Sequence, residues 1–185
     1  DAKFPSEKTI LNQLCDLGFK PTELTLEQKK SLNVESFRKH FALGEYFRLS
    51  NELGSAISEY EKALGFIPDD VLTIIRLCNL FIESGKHIDA RRFYDKISVD
   101  KSKFFNLVVL DSYISISEGS ITRASKLSYD ALNLLEMDPI KIKTLIDLHN
   151  NIEAIYLGSN RLKRAREHRN EAAELNGMLP AKYYD

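Results

Sequence analysis

The sequence predicts an all-α fold of helix hairpins in series, and three observations predict it. Small residues recur at a fixed interval, with Ala56, Ala90 and Ala124 each 34 residues apart. Around them the apolar residues keep helical spacing: from Ser55 to Phe66, Ala56, Tyr60, Ala63 and Leu64 fall at i, i+4, i+7 and i+8, with Ile57 beside them. Finally, the 185 residues include only eight Gly and five Pro, too few punctuating residues for a turn-rich β architecture.

Composition narrows the function. Lys plus Arg number 26 and Asp plus Glu 27, for a formal charge of -1. That balance supplies no global attraction to nucleic acid or to an anionic membrane surface. At 43% hydrophobic and 29% charged, the chain is expected to fold as a soluble globular protein. No apolar run approaches the roughly 18 residues that a membrane-spanning helix needs. The chain opens on Asp1 rather than Met, so a processed or excised start is expected, with any signal peptide or lipid-bearing Cys upstream. The compartment stays open between cytoplasm and a periplasmic, membrane-anchored location.

Residues 1–36 lack the repeat. Ser6 to Leu17 carries Ile10, Leu11, Leu14 and Leu17 on one stripe and predicts a helix. Thr25-Leu26-Glu27-Gln28 has the form of a capping box. The expectation is a helical cap over the open end of the array; a docking segment for a partner is the alternative.

The array itself is expected over 37–177, in units 37–70, 71–104, 105–145 and 146–177, with a tail at 178–185. Twelve residues before each alanine lie Gly44, Cys78 and Ser112, all small. Nine before lie Phe47, Phe81 and Ser115; four after lie Tyr60, Tyr94 and Ser128; seven after lie Ala63, Ile97 and Ala131. Asp111 breaks the leucine slot held by Leu43 and Leu77. A fourth unit fits if Ala165 takes the alanine slot, which brings Ile152, Tyr156 and Ala172 into register. Ala165 follows Ala124 by 41 residues, seven more than the period, or about two helical turns. Longer helices on both sides of Asp138-Pro139 are therefore expected.

Small residues suit the places where two helix axes cross closely, and aromatics fill the space between one pair and the next. No pair covers its own apolar surface, so the pairs must stack. Asn51 to Gly54, Gly85-Lys86, Gly119-Ser120 and Gly158-Ser159-Asn160 are expected between the helices of each pair. Pro68-Asp69-Asp70 separates the first two pairs, and Asp138-Pro139 reads as a cap with Pro at the first helical position. Asn176-Gly177, with Pro180 soon after, should stop the last helix.

This pattern resembles the tetratricopeptide repeat, a 34-residue helix-turn-helix unit. The first unit carries Leu43, Gly44, Phe47, Ala56, Tyr60, Ala63 and Pro68; the second keeps Leu77, Phe81, Ala90 and Tyr94 but has Ser102 where Pro is expected. The third keeps mainly Ala124 and Ala131, and the fourth Ile152, Tyr156, Ala165 and Ala172. The resemblance implies a right-handed α-solenoid whose first helix in each pair lines a concave groove. The groove slots then fall on Arg38, Phe41, Glu45 and Arg48, on Asn79 and Ile82, on Asn106 and Tyr113, and on Asn150. Further apolar groove members such as Val109 have packing on the neighbouring helix as their alternative. Carboxamides pair with peptide backbone and Phe41, Ile75, Ile82 and Tyr113 supply anchors, so a peptide or partner protein is the implied ligand. The slots that grip a C-terminal carboxylate in chaperone-binding members hold Phe41, Glu45, Arg76, Asn106 and Leu110, which do not assemble that clamp.

No catalytic residue, cofactor or metal is expected. Cys15 and Cys78 sit in apolar helical patterns and read as small buried hydrophobes, with a disulfide between them left open. His40, His87, His149 and His168 show no i, i+4 pair, and His40 and His149 share one repeat slot that usually packs. No phosphate-cradling glycine loop or nucleophile elbow appears. The start of the last helix is basic, with Arg161, Lys163, Arg164, Arg166 and Arg169. A solvated outer face is the plain reading, and a contact for an acidic protein or phosphate the sharper one. The expected function is a non-catalytic interaction module, an adaptor or assembly factor. The alternatives are a secretion or pilus-assembly lipoprotein of the same repeat type and a self-associating, homodimeric scaffold.

Overall fold

A computed structural model of the protein describes residues 26–179. Among the described residues there are eight α-helices, one short 3-10 turn and no strand. The helices are α1 (Leu26–Leu49), α2 (Leu53–Phe66), α3 (Val71–Glu83), α4 (His87–Asp95), α5 (Phe105–Ser117), α6 (Ile121–Leu132), α7 (Pro139–Gly158) and α8 (Leu162–Gly177), with the 3-10 turn at Lys101–Lys103. The chain divides into two compact units, one up to Leu80 and one from Phe81 onward.

The repeat is written in the backbone of the four hairpin turns. Glu52, Lys86, Ser120 and Arg161 each donate their N–H to the carbonyl five residues back, on Phe47, Phe81, Ser115 and Tyr156, at 2.7 to 2.9 Å. These acceptors are the four aromatic slots of the repeat. The same four donors accept, on their own carbonyls, the N–H of Ala56, Ala90, Ala124 and Ala165 at 3.0 to 3.1 Å. Such a bond closes a helix end only when one residue enters the left-handed region. Gly85 (φ 71°) and Gly119 (φ 75°) do so in the second and third turns, Asn51 (φ 60°) and Asn160 (φ 57°) in the first and fourth. The expected role of Gly54 and Gly158 is thereby corrected: both lie inside helices. Asparagine tolerates the left-handed region and takes the turn in their place.

The four alanines are buried, Ala56, Ala90 and Ala124 at 0% exposure and Ala165 at 1%. In the first unit, α1 packs on α2. In the second, each helix from α4 to α7 packs on its successor, and α5 also reaches α7. The core there gathers Phe105, Val108, Ile142, Leu145, Leu148 and Ile152.

The expectation of two lengthened helices beside Asp138-Pro139 is half corrected. α7 has 20 residues against 13 in α3 and α5, so it alone absorbs the seven extra residues, while α6 has only 12. The reason lies in the cap: Asp138 accepts the N–H of Ile140 at 2.9 Å, with Pro139 in the first turn. This start point fixes where α7 begins, and the added turns run from there. α1 starts at Leu26, ahead of the boundary expected at 37, so the first repeat helix continues without a break into the segment assigned to the cap. The expected helix at Ser6 to Leu17, Thr25 of the capping box, Cys15 and the tail beyond Leu179 lie outside the described residues.

Candidate partner-binding surface

In the first unit, α1 is held close to α2 by Gly44. A Cβ there would lie 2.6 Å from two ring carbons of Tyr60, so the ring occupies the space that any side chain would need. This close approach brings Glu45, the next residue, under the Tyr60 hydroxyl, which donates to its carboxylate. Arg48 and Arg76 also donate to Glu45, each at 2.8 Å. Burial raises the Glu45 pKa, but the bonds from Arg48 and Tyr60 and the charge of Arg76 outweigh it and hold the carboxyl below its usual range. Phe41 is half-buried, with its ring 5.9 Å from Phe37 and 5.7 Å from Tyr60.

The nine expected groove residues thus divide into three groups. Arg38, Asn79, Asn106 and Asn150 are exposed. Phe41, Ile82 and Tyr113 are half-buried. Glu45 and Arg48 are tied to one another within the first unit. Val109 belongs to the core of the second unit, so its packing alternative is the one the structure shows.

Comparison with solved structures places this arrangement. Two solved structures of MamA, one from Desulfovibrio magneticus RS-1 and one a double mutant of MamA RS-1, are similar to the chain in fold. The 41-end form has a TM-score of 0.65 at 11% identity, covering 94% of this chain and 95% of that one. A double mutant of the RS-1 protein has a TM-score of 0.63 at 14% identity, covering 96% and 95%. MamA of MSR-1 has a TM-score of 0.59 at 15% identity, covering 88% and 83%. The chain has the tetratricopeptide-repeat fold. At such identities the likeness carries the fold alone. No family profile matches the sequence, and no curated protein does.

The second unit contains a polar cluster that sequence reasoning missed. His149 on α7 and His168 on α8 are both fully buried, and their Nδ1 atoms lie 2.9 Å apart. His168 Nε2 lies 2.8 Å from Ser125 Oγ on α6, while His149 Nε2 has no partner. Tyr129 stands edge-on to His149 and Tyr156 stacks on His168. One imidazole must donate across the Nδ1 pair. If His168 donated, His149 would keep its proton on Nε2 and bury an orphan N–H; if His149 donates, only an acceptor is orphaned. An orphan donor is the rarer and costlier fault, so the proton sits on His149 Nδ1. His168 then donates from Nε2 to Ser125, whose own hydroxyl proton points elsewhere. Burial lowers the His149 pKa to about 4, aided by its histidine neighbour, and burial also lowers that of His168. In the sequence, Ser115 and Ser128 in aromatic slots mark the third repeat as off pattern, but they do not point to the histidines.

Asp111, off pattern in the leucine slot, has a similar explanation. It is 8% exposed and pairs with Arg91 at 2.7 Å and Arg123 at 2.9 Å. Arg91 also grips both oxygens of Glu118 at 2.8 and 2.9 Å, a fork geometry that suits guanidinium. The Glu118 bond is the main reason that the Arg91 pKa is raised.

Proposed function

We propose that the protein is a non-catalytic interaction module that holds a peptide or partner protein along the leading helices of its hairpins. The observation that supports this reading most directly is the exposure of one polar groove residue on each leading helix: Arg38 on α1, Asn79 on α3, Asn106 on α5 and Asn150 on α7. An exposed carboxamide both donates to and accepts from peptide backbone, and half-buried Phe41, Ile82 and Tyr113 offer apolar anchors on the same helices. In tetratricopeptide repeats these helices line the binding groove. Glu45 and Arg48, also groove candidates, act in this reading together with Arg76, since two guanidinium groups on one carboxylate leave one net positive charge.

The test is affinity capture from native lysate with wild type and with Asn79→Arg/Asn106→Arg. Both changes are on exposed positions and leave folding intact. A partner retained by wild type and lost by the variant supports the groove; identical profiles would falsify it. A self-associating scaffold is the second reading, favoured by exposed Ile155, Leu157 and Leu162 around the last turn. Light scattering that finds a monomer at tens of micromolar removes it. The secretion and pilus reading gains no support from the comparisons.

A further inference from the structure

The basic stretch at the start of α8 takes on a different character in three dimensions. It forms one wall of a cleft of about 620 Å³ beside the histidine pair, and α6 and the end of α7 form the others. Every charged residue that lines the cleft is a cation: Lys126, Arg161, Lys163 and Arg164, with no Asp or Glu among the lining residues. Arg164 pairs with Glu167 of its own helix at 3.0 Å. Lys126, Arg161 and Lys163 have no carboxylate partner among the described residues. In a chain of net charge -1, this concentration is local and not a reflection of composition.

The neutral groups agree with the charged ones. Tyr156 is 3% exposed and lines the cleft. Ser125 is 7% exposed and also lines it. Since His168 donates to Ser125, the serine proton is left to donate in turn. Arg161 provides no side-chain cap for α8, so the first backbone N–H groups of this 16-residue helix, on Leu162, Lys163 and Arg164, find no backbone acceptor among the described residues. The result is a recess with many donors and no anionic acceptor.

We propose that this cleft binds a phosphomonoester, an organic phosphate of mononucleotide or sugar-phosphate size. A dianion with three terminal oxygens uses several cations and hydroxyls at once, whereas a monocarboxylate would leave most of them unmet. The volume falls within the roughly 300–1,000 Å³ typical of small-molecule sites and exceeds what bare phosphate fills. Tyr129 and Leu162 supply apolar wall for the organic part.

The test is calorimetric titration of the full chain at about 150 mM salt, where diffuse surface attraction is largely screened. AMP, ribose 5-phosphate, inorganic phosphate and adenosine are the four probes. Both phosphomonoesters are expected to bind and adenosine is not. Lys126→Ala/Lys163→Ala should weaken AMP by about tenfold or more, while Lys143→Ala/Arg166→Ala, equal in charge but outside the cleft, should stay within about twofold. Tyr156→Phe should weaken AMP by about threefold or more with the melting temperature held. If inorganic phosphate binds as tightly as AMP, the phosphoryl site stands and free phosphate is its source. Adenosine binding as tightly as AMP overturns the proposal. So does equal loss in the two double variants, or no binding by any phosphate.

Discussion

The first and last hairpins solve one packing problem with opposite chemistry. In repeat register, His40 corresponds to His149, and Glu59 corresponds to His168. In the first hairpin, His40 Nδ1 lies 2.7 Å from the Glu59 carboxylate. In the last, His149 Nδ1 lies 2.9 Å from another imidazole. The partner in the first hairpin is an anionic carboxylate, and the partner in the last is a buried imidazole. The slots within one turn of these diverge as well. Gly44 lies beneath the Tyr60 ring, whereas the equivalent Glu153 and Arg169 form an ion pair at 2.6 Å. One backbone pattern therefore carries an aromatic, charge-paired interior at one end and a neutral histidine–serine interior at the other.

The alanine slot is what the two hairpins share, and breaking it should cost most. Ala56→Arg and Ala165→Arg each force a charge and a long side chain into a crossing with no free volume. Each is expected to lose about 4 kcal/mol or more, by overpacking and unpaired charge together. Calorimetric melting should show a drop of about 10 °C or greater in both. A variant that melts close to wild type would show that its hairpin is out of register.

Acid should then separate the two ends. The folded pKa of His149 is about 4, below the unfolded value of 6.5, so the unfolded chain binds the proton first as pH falls. Stability is full above about pH 6.5 and declines down to about pH 4, by about 3 kcal/mol in total. Glu59 moves the other way in charge. Burial raises its pKa, but bonds from His40 and Lys62 outweigh this and lower it below 4.5, so its contribution persists until pH falls below that value. Hydrogen exchange between pH 7 and pH 5 should therefore lose protection in α7 and α8 while α1 and α2 hold. His168→Glu copies the first hairpin into the last and should abolish that loss. Retention of the wild-type pH profile by His168→Glu would remove the histidine pair as its cause.

A smaller effect tests the second pair of slots. Gly44→Ala places a methyl against an aromatic ring that has no room to yield, at about 1–3 kcal/mol. Glu153→Ala removes only a partly exposed ion pair, with Arg169 63% exposed, and should cost about 0–1 kcal/mol. Equal losses would mean that Tyr60 swings aside and that the close crossing of α1 on α2 is not what Gly44 secures.

Much of this frame was legible from residues alone. Three alanines at a fixed interval and a fourth in phase with them mark four turns whose backbone bonds fall on the expected slots, because a crossing tolerates only a narrow range of side-chain sizes. The fourth unit was found by phase despite its shift, since two added turns preserve the buried face. What escaped were contacts between residues of unlike type far apart in sequence. Nothing in the spacing of His149, His168 and Ser125 marks them as neighbours, and a serine in an aromatic slot reads as weakness until its replacement is seen. The division of the groove candidates was equally hidden. Glu45 looks like Asn79 in a slot pattern, but only contact with Tyr60 and Arg76 removes it from solvent.

The finest discrimination lies between stability and binding within one slot. Glu45 and Asn79 hold equivalent positions, the first tied to three donors and the second exposed. Glu45→Ala strands the Tyr60 hydroxyl and two guanidinium groups and should cost about 1–2 kcal/mol, because partly buried donors lose a charged acceptor. Asn79→Ala removes a solvated carboxamide and should change stability by less than about 0.5 kcal/mol in chemical denaturation. If Asn79 serves a partner, the same substitution should weaken capture of that partner without moving the denaturation midpoint. A midpoint shift as large as that of Glu45→Ala would mean that Asn79 supports the fold, and the groove reading would lose its clearest residue.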